Sequence, residues 1–297
     1  SAKHKHINRN FNLEWLKTLS NEELSKQWNT FHDLLKEFWV LTIPAELGNY
    51  GAPDLLQEEL KQYIQDEKEL IVAMEVLTAP EKFSFYQQEE IDLVETKDLK
   101  KHQQRYAWLK NSYAGVQALD VDFFRERQKK LSPNTEKEFL VNLNETIQRK
   151  KDLVRKHNLP ATIVWLARVI SQNVAWQDNR KKYIFQNLYI KHIFLQETAN
   201  RFSYEYEDLL NCWYTDIADI IKGKDLRKML LYRRKGFGIY FDSTIKIISA
   251  LETLRYWKHY AEEKVEAVNQ FTGIVACAGK GELTKGTVRI LLDPYDL

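Results

Sequence analysis

Two apolar stretches, 161–177 and 183–202, constrain this chain more than any other feature. Ile163, Val164, Trp165, Leu166, Val169 and Ile170 crowd the first, and Ile184, Phe185, Leu188, Tyr189, Ile193, Phe194 and Leu195 crowd the second. Both are apolar around most of a helical circumference, the pattern of helices enclosed by other helices. The core is expected there, with Trp165, Leu188 and Phe194 each costing about 2–5 kcal/mol on truncation to Ala. Ten glycines and six prolines in 297 residues leave few tight turns and favour helix throughout. That length suffices for one large domain or two ordinary ones.

The remaining segments supply helices to surround this core. Ser20-x-x-Glu23 is a capping box, followed by Leu24, Trp28, Phe31, Leu35 and Phe38 at helical spacing, with Pro44 and Gly48-Asn49-Tyr50-Gly51 as the interruption. Pro53 opens a helix whose stripe is Leu56, Leu60, Tyr63, Leu70, Met74 and Leu77. Ser84-x-x-Gln87 restarts the pattern. From Asp98 a helix is expected to carry His102, Tyr106, Leu109, Tyr113 and Val116 on one side, with Trp108 flanking. Ser132-Pro133-Asn134 is a turn, and Leu140, Leu143, Ile147 and Val154 face inward from the next helix. Ser203 and Thr215-Asp216 read as helix starts, Gly223 and Gly236 as helix stops, and Asp225 as a cap. The period then changes from helical to alternating. Phe237–Phe241, a turn at Asp242-Ser243, and Ile245–Ile248 read as a β-hairpin, after which Ser249-x-x-Glu252 caps a last helix to about residue 262.

Charge and cysteine content narrow the function. With 44 Lys+Arg against 42 Asp+Glu, bulk charge draws the chain to neither nucleic acid nor membrane. Basic clusters at Lys100-Lys101-His102, Arg149-Lys150-Lys151, Arg180-Lys181-Lys182 and Arg233-Arg234-Lys235 are offset by equally abundant acids, which argues against RNA binding. Cys212 and Cys277 are too few and too isolated for a disulfide framework or a thiolate metal site, so a reducing, cytoplasmic setting is expected. No apolar run approaches the ~20 residues of a membrane helix. The start, SAKHKHINRN, lacks both an initiating Met and a signal-peptide apolar stretch, so it reads as a processed or cloned start.

The last residues, Gly273–Leu297, read as two strands joined by a glycine-rich loop. Gly273, Ala276, Gly279, Gly286, Val288, Arg289, Asp293, Pro294, Asp296 and Leu297 resemble the opening of the swivelling phosphohistidine domain of phosphoenolpyruvate-utilising enzymes, whose pattern is close to G-x-x-A-S-P-G-x-x-x-G-x-V-R-V followed by D-P-x-D-L. That family includes phosphoenolpyruvate synthase, pyruvate phosphate dikinase and rifampin-type phosphotransferases. Cys277 and Ala278 depart from its Ser and Pro, and the loop before Gly286 is two residues longer. Upstream, Phe194-Leu195-Gln196-Glu197-Thr198-Ala199-Asn200-Arg201 and Tyr232-Arg233-Arg234-Lys235-Gly236 are similar to segments that precede this domain in the family. The resemblance covers about a third of the chain.

The pattern divides the chain into a helical body at 1–235 and a hairpin-plus-helix connector at 236–264, and the resemblance makes 265–297 the start of a truncated swivelling domain. The expected fold class is mainly α: a multi-helix bundle, then a β-hairpin and the first strands of a β/α domain. The resemblance further implies a histidine that carries a phosphoryl group, in a motif similar to T-x-x-G-G-x-x-C-H-A. That motif is missing here, and His259, in YWKHYAEEK, lacks its Gly-Gly turn. The chain alone is therefore expected to be inactive, with no catalytic residue and no metal ligand assigned. Mg and ATP or phosphoenolpyruvate belong to the complete enzyme, on a nucleotide-binding domain or subunit supplied elsewhere. Gly279-Lys280-Gly281 sits between strands, the setting of a plain loop rather than a phosphate cradle.

By the same resemblance the helical body holds a small hydroxylated acceptor. The substrate-binding candidates are His102, Tyr106 and Trp108 on one helix and Trp176 and Arg180 on another, with Trp213 and Tyr214 nearby in character. Aromatic rings would stack on the acceptor and Arg180 would meet an anion. The competing expectation is ordinary packing, since Trp and Tyr bury large areas wherever they sit. The alternative function is a non-catalytic helical binding or scaffold module with a protein or RNA partner.

Overall fold

The computed structural model describes residues 12–47 and 49–260. Among them the chain is a helical bundle followed by one antiparallel hairpin, as the periodicity leads one to expect. The central element is α9 (Ala161–Phe202), one unbroken helix of 42 residues. At 1.5 Å per residue it runs about 63 Å. The two apolar stretches are thus one helix, and the polar segment between them is where other elements meet it. Asp178 there accepts the N–H of Phe85, a first-turn donor with no partner inside its own helix, at 3.0 Å. Gln177 donates to Glu46 at 3.1 Å, and Arg180 pairs with the same carboxylate.

The other helices are grouped along α9 in three apolar clusters. The first takes α1 (Leu13–Thr18), α2 (Asn21–Leu47), α10 (Tyr206–Leu209), α11 (Tyr214–Ile221) and α12 (Arg227–Arg233) around Phe194, which is fully buried. The second gathers α5 (Phe85–Glu95), α6 (Leu99–Tyr106) and α7 (Val121–Gln128) around Phe124, Ile184 and Phe185. The third packs α3 (Ala52–Leu60), α4 (Glu67–Thr78) and α8 (Thr135–Lys156) onto Ile163, Ala167 and Ile170. Strands β1 (Phe237–Phe241) and β2 (Ile245–Ser249) pair in register from Phe237↔Ser249 to Phe241↔Ile245, and α13 (Ala250–Tyr260) folds back on them.

The capping boxes at Ser20, Ser84 and Ser249 form with both hydrogen bonds in place. Several boundaries differ from expectation. Helix α2 continues through position 44 to Leu47. The stripe after Pro53 is divided, because Asp66 accepts the N–H of Glu69 and starts a new helix, leaving Tyr63 exposed. The helix from Asp98 stops at Tyr106. Buried Asn111 then accepts from the N–H of Gln117 and donates to the carbonyl of Phe185, which stabilises a loop in its place. Tyr113 is consequently exposed. Ser203 is no helix start: it takes a left-handed conformation (φ 55°) that ends α9. Trp165, expected in the core, is 64% exposed. In a helix that long, one face must turn outward where its neighbours run out. The strands and loop expected over 265–297, with Cys277 and Gly279-Lys280-Gly281, lie outside the described residues.

Candidate functional site

The residues singled out from sequence fall in two places. His102, Tyr106 and Trp108 belong to the second cluster and are 5%, 2% and 4% exposed. Each polar atom of theirs that forms a hydrogen bond does so with protein. His102 Nε2 meets Glu89 Oε1, the Tyr106 hydroxyl donates to Asp92, and Trp108 Nε1 donates to the Arg105 carbonyl at 2.7 Å. Arg127 bridges Glu89 and Glu90, and Arg105 holds Asp92. Burial and the Asp92 carboxylate push the Tyr106 hydroxyl well above its ordinary pKa. This arrangement clamps three short helices together and presents no surface to a ligand.

Trp176 and Arg180 lie one turn apart on α9, with the guanidinium 5.5 Å from the indole ring centre. Trp176 lines a 320 Å³ cleft with Glu81, Arg168 and Asn179. Arg180 is turned inward to Glu46 and is not free to receive an anion. Its fate is shared by one member of every basic cluster. His102 faces Glu89, and Arg233 faces Asp216 at 2.6 Å. Lys150 is buried against the Ala79 carbonyl, Glu81 and Ser171. Charges adjacent in sequence point to different sides of a helix, so the clusters do not form continuous basic patches.

A different site emerges where the hairpin meets the helical body. Between α2, α9, α11 and β1–β2 lies a cleft of 270 Å³ whose walls include Trp28, Leu35, Trp213, Tyr214, Phe237 and Ile247. Its geometry is set by short links. Trp28 Nε1 donates to the Tyr214 carbonyl at 2.8 Å, tying α2 to the start of α11. The His32 ring stacks on Tyr214, 3.6 Å between centres and 25° apart, and Lys36 stands 4.8 Å from the same ring. Arg233 reaches both the Asn211 carbonyl and Asp216, while Asp216 accepts the Trp213 N–H. The Arg233-Arg234 pair noted in the sequence thus braces the floor beneath the hairpin, with Arg234 3.3 Å from Asp208.

Lys191, His32 and Cys212 are among the polar residues that line this cleft. Lys191, half-buried on α9, has no hydrogen-bond or ion-pair partner among the described residues, and desolvation lowers its pKa. The His32 ring has its pKa lowered by burial and then by Lys36, and its Nδ1 is enclosed without a partner. Cys212 is pushed up to about 12, chiefly by burial and then by Asp216, so it is a thiol and not a thiolate nucleophile at neutral pH. An apolar cleft lined by a cation without a described ion-pair partner can bind and orient an organic anion, and its protonated thiol is not an activated nucleophile. In sequence, Trp28 and Lys191 are 163 positions apart, and of the residues lining the cleft only Trp213 and Tyr214 stand beside the binding candidates.

Among the described residues, no grouping of three or more His, Cys, Asp or Glu side chains could hold a metal ion, and no helix is long and apolar enough to cross a membrane. Comparison with family models, with curated proteins and with solved structures finds no match.

Proposed function

We propose that this chain is the acceptor-holding helical part of a phosphoenolpyruvate-utilising phosphotransferase whose phosphohistidine lies beyond these residues. The order of elements from Phe194 to Tyr260 carries this reading. The end of α9 with Glu197 and Arg201 is followed by short helices, Arg233-Arg234, the hairpin and the Ser249-capped α13. Of this series, the helix, the short helices, the Arg-Arg pair and the strand stand in the order the resemblance implies on the approach to a swivelling domain. The cleft supports it, since Phe237, Ile239 and Ile247 of the hairpin form one wall. An acceptor held there lies beside the segment leading toward the resembled domain.

In this scheme the chain's own residues bind and orient the acceptor and shield its apolar part from water, while the phosphoryl group arrives on a histidine of the following domain. Mg and ATP or phosphoenolpyruvate are assigned to a nucleotide-binding domain or subunit elsewhere, and no residue described here is given a step with them. The test is a chain extended along its reading frame past Leu297 and supplied with the donor domain and labelled phosphoenolpyruvate, or labelled ATP with Mg. Acid-labile, base-stable label is expected on the extension and not on residues 1–297. Label on His102 or His259 overturns the reading.

A second reading, a non-catalytic helical module that docks a protein, is favoured by the hairpin and α13. There Phe241 is 72% and Trp257 67% exposed, with Ile245, Leu251 and Leu254 also outward. A continuing reading frame without the Gly-Gly-x-x-Cys-His motif decides for it.

A further inference from the structure

The cleft beneath the hairpin has a definite ligand chemistry. Its walls are flat and apolar: Trp28, Trp213, Tyr214 and Phe237 supply rings, and Ile239 and Ile247 close the hairpin side. Its 270 Å³ lies near the ~300 Å³ lower end of ligand pockets, which suits a bicyclic ring and excludes a nucleotide or a long chain. Within it Lys191 has no ion-pair partner among the described residues. Elsewhere on the described surface, inward-turned cations are matched: Lys150 by Glu81, Arg180 by Glu46, Arg201 by Glu197 and Arg233 by Asp216. Of the carboxylates that act on Cys212, Asp216 is held by Arg233 and the Trp213 N–H, while Asp208 lies 3.3 Å from Arg234 with its Oδ1 lacking a hydrogen-bond partner. No described acid forms an ion pair with Lys191.

A half-buried cation beside aromatic walls loses hydration without gaining a counter-charge, unless something from solution supplies one. We propose that this cleft binds a small aromatic carboxylate, its ring between the aromatic walls and its carboxylate on the Lys191 ammonium. Binding stands on the cleft alone, while the ligand's place as phosphoryl acceptor requires a ring hydroxyl to take the phosphoryl group from the histidine nitrogen and rests on the function proposed above.

The probes are 2-naphthoate and its neutral counterpart 2-naphthamide, followed by quenching of Trp28 and Trp213 fluorescence. Naphthoate should bind the parent chain at least about tenfold more tightly than naphthamide, the size expected for a hydrogen bond to a charged group. Lys191→Met should abolish that preference and leave naphthamide binding within about twofold, while Lys191→Arg should retain it. Lys191→Gln serves in place of Lys191→Met if the latter fails to unfold cooperatively in urea. Equal binding of the two probes to the parent chain, absence of binding at millimolar concentration, or a carboxylate preference that survives in a folded Lys191→Met chain each overturns the proposal. None of these outcomes depends on phosphoryl transfer, so the ligand class and the enzyme reading fail or stand separately.

Discussion

His102 Nε2 lies 2.9 Å from Glu89 Oε1, with the two side chains 3% and 0% exposed between α6 and α5. Removing His102 leaves Glu89 Oε1 enclosed without its partner, with Arg127 remaining on the other carboxylate oxygen, which is costlier than losing a surface pair. His102→Ala is expected to lower stability by about 1–3 kcal/mol. Urea unfolding checks the loss, and naphthoate titration of the folded variant should show unchanged affinity. A stable variant with impaired ligand binding would return His102 to the binding surface.

The long helix provides an internal comparison. Phe194 is fully buried against Trp28 and Phe31, with ring centres 5.5 and 6.0 Å away, whereas Trp165 is largely in solvent. Phe194→Ala should cost about 3–5 kcal/mol through the cavity it opens, and Trp165→Ala about 0.5 kcal/mol or less. Chemical unfolding monitored by far-UV circular dichroism orders the two, and equal losses would contradict the burial pattern.

Cys212 gives a pH signature whose sign follows from its environment. Its folded-state value is raised from the ordinary 9.0 to about 12, so folding favours the protonated thiol. The contribution is complete below about pH 9 and lost as pH rises toward 12, because the unfolded chain ionises first. In a Cys277→Ser background, the parent should therefore lose stability between pH 9 and 11 more steeply than the Cys212→Ala variant. Parallel curves would show that the thiol is no more enclosed than a free one. At pH 8 the same chain should react sluggishly with a disulfide reagent until denaturant is added.

Local signals were legible in the sequence because they are settled by near neighbours. The Ser20, Ser84 and Ser249 caps, the hairpin turn at Asp242-Ser243 and the glycine stops at Gly223 and Gly236, with φ of 95° and 111°, depend on residues within three or four positions. Features decided by distant partners were not. Asp178 and Gln177 look like a break in the apolar pattern until Phe85 and Glu46 are brought against them. Arg180 looks available for an anion until Glu46 takes it. Aromatic content flagged both the His102 helix and Trp213-Tyr214, yet enclosure made the first a core and an unpaired lysine made the second a candidate site. Periodicity reports that a residue faces inward; it does not report whether space remains there.

A shared axle is the less obvious consequence of the 42-residue α9. Ile163, Phe185 and Phe194 each anchor a different cluster from the same rod. A residue added near Trp176 would wind everything beyond it by about 100° while shifting it only about 1.5 Å. The α3–α4–α8 end would keep its footing, but Lys191 would swing out of the cleft and Phe194 out of its socket. The three clusters are thereby phased to one another like teeth on a single shaft. The chain can tolerate changes of length in the loops around α9, and none within it.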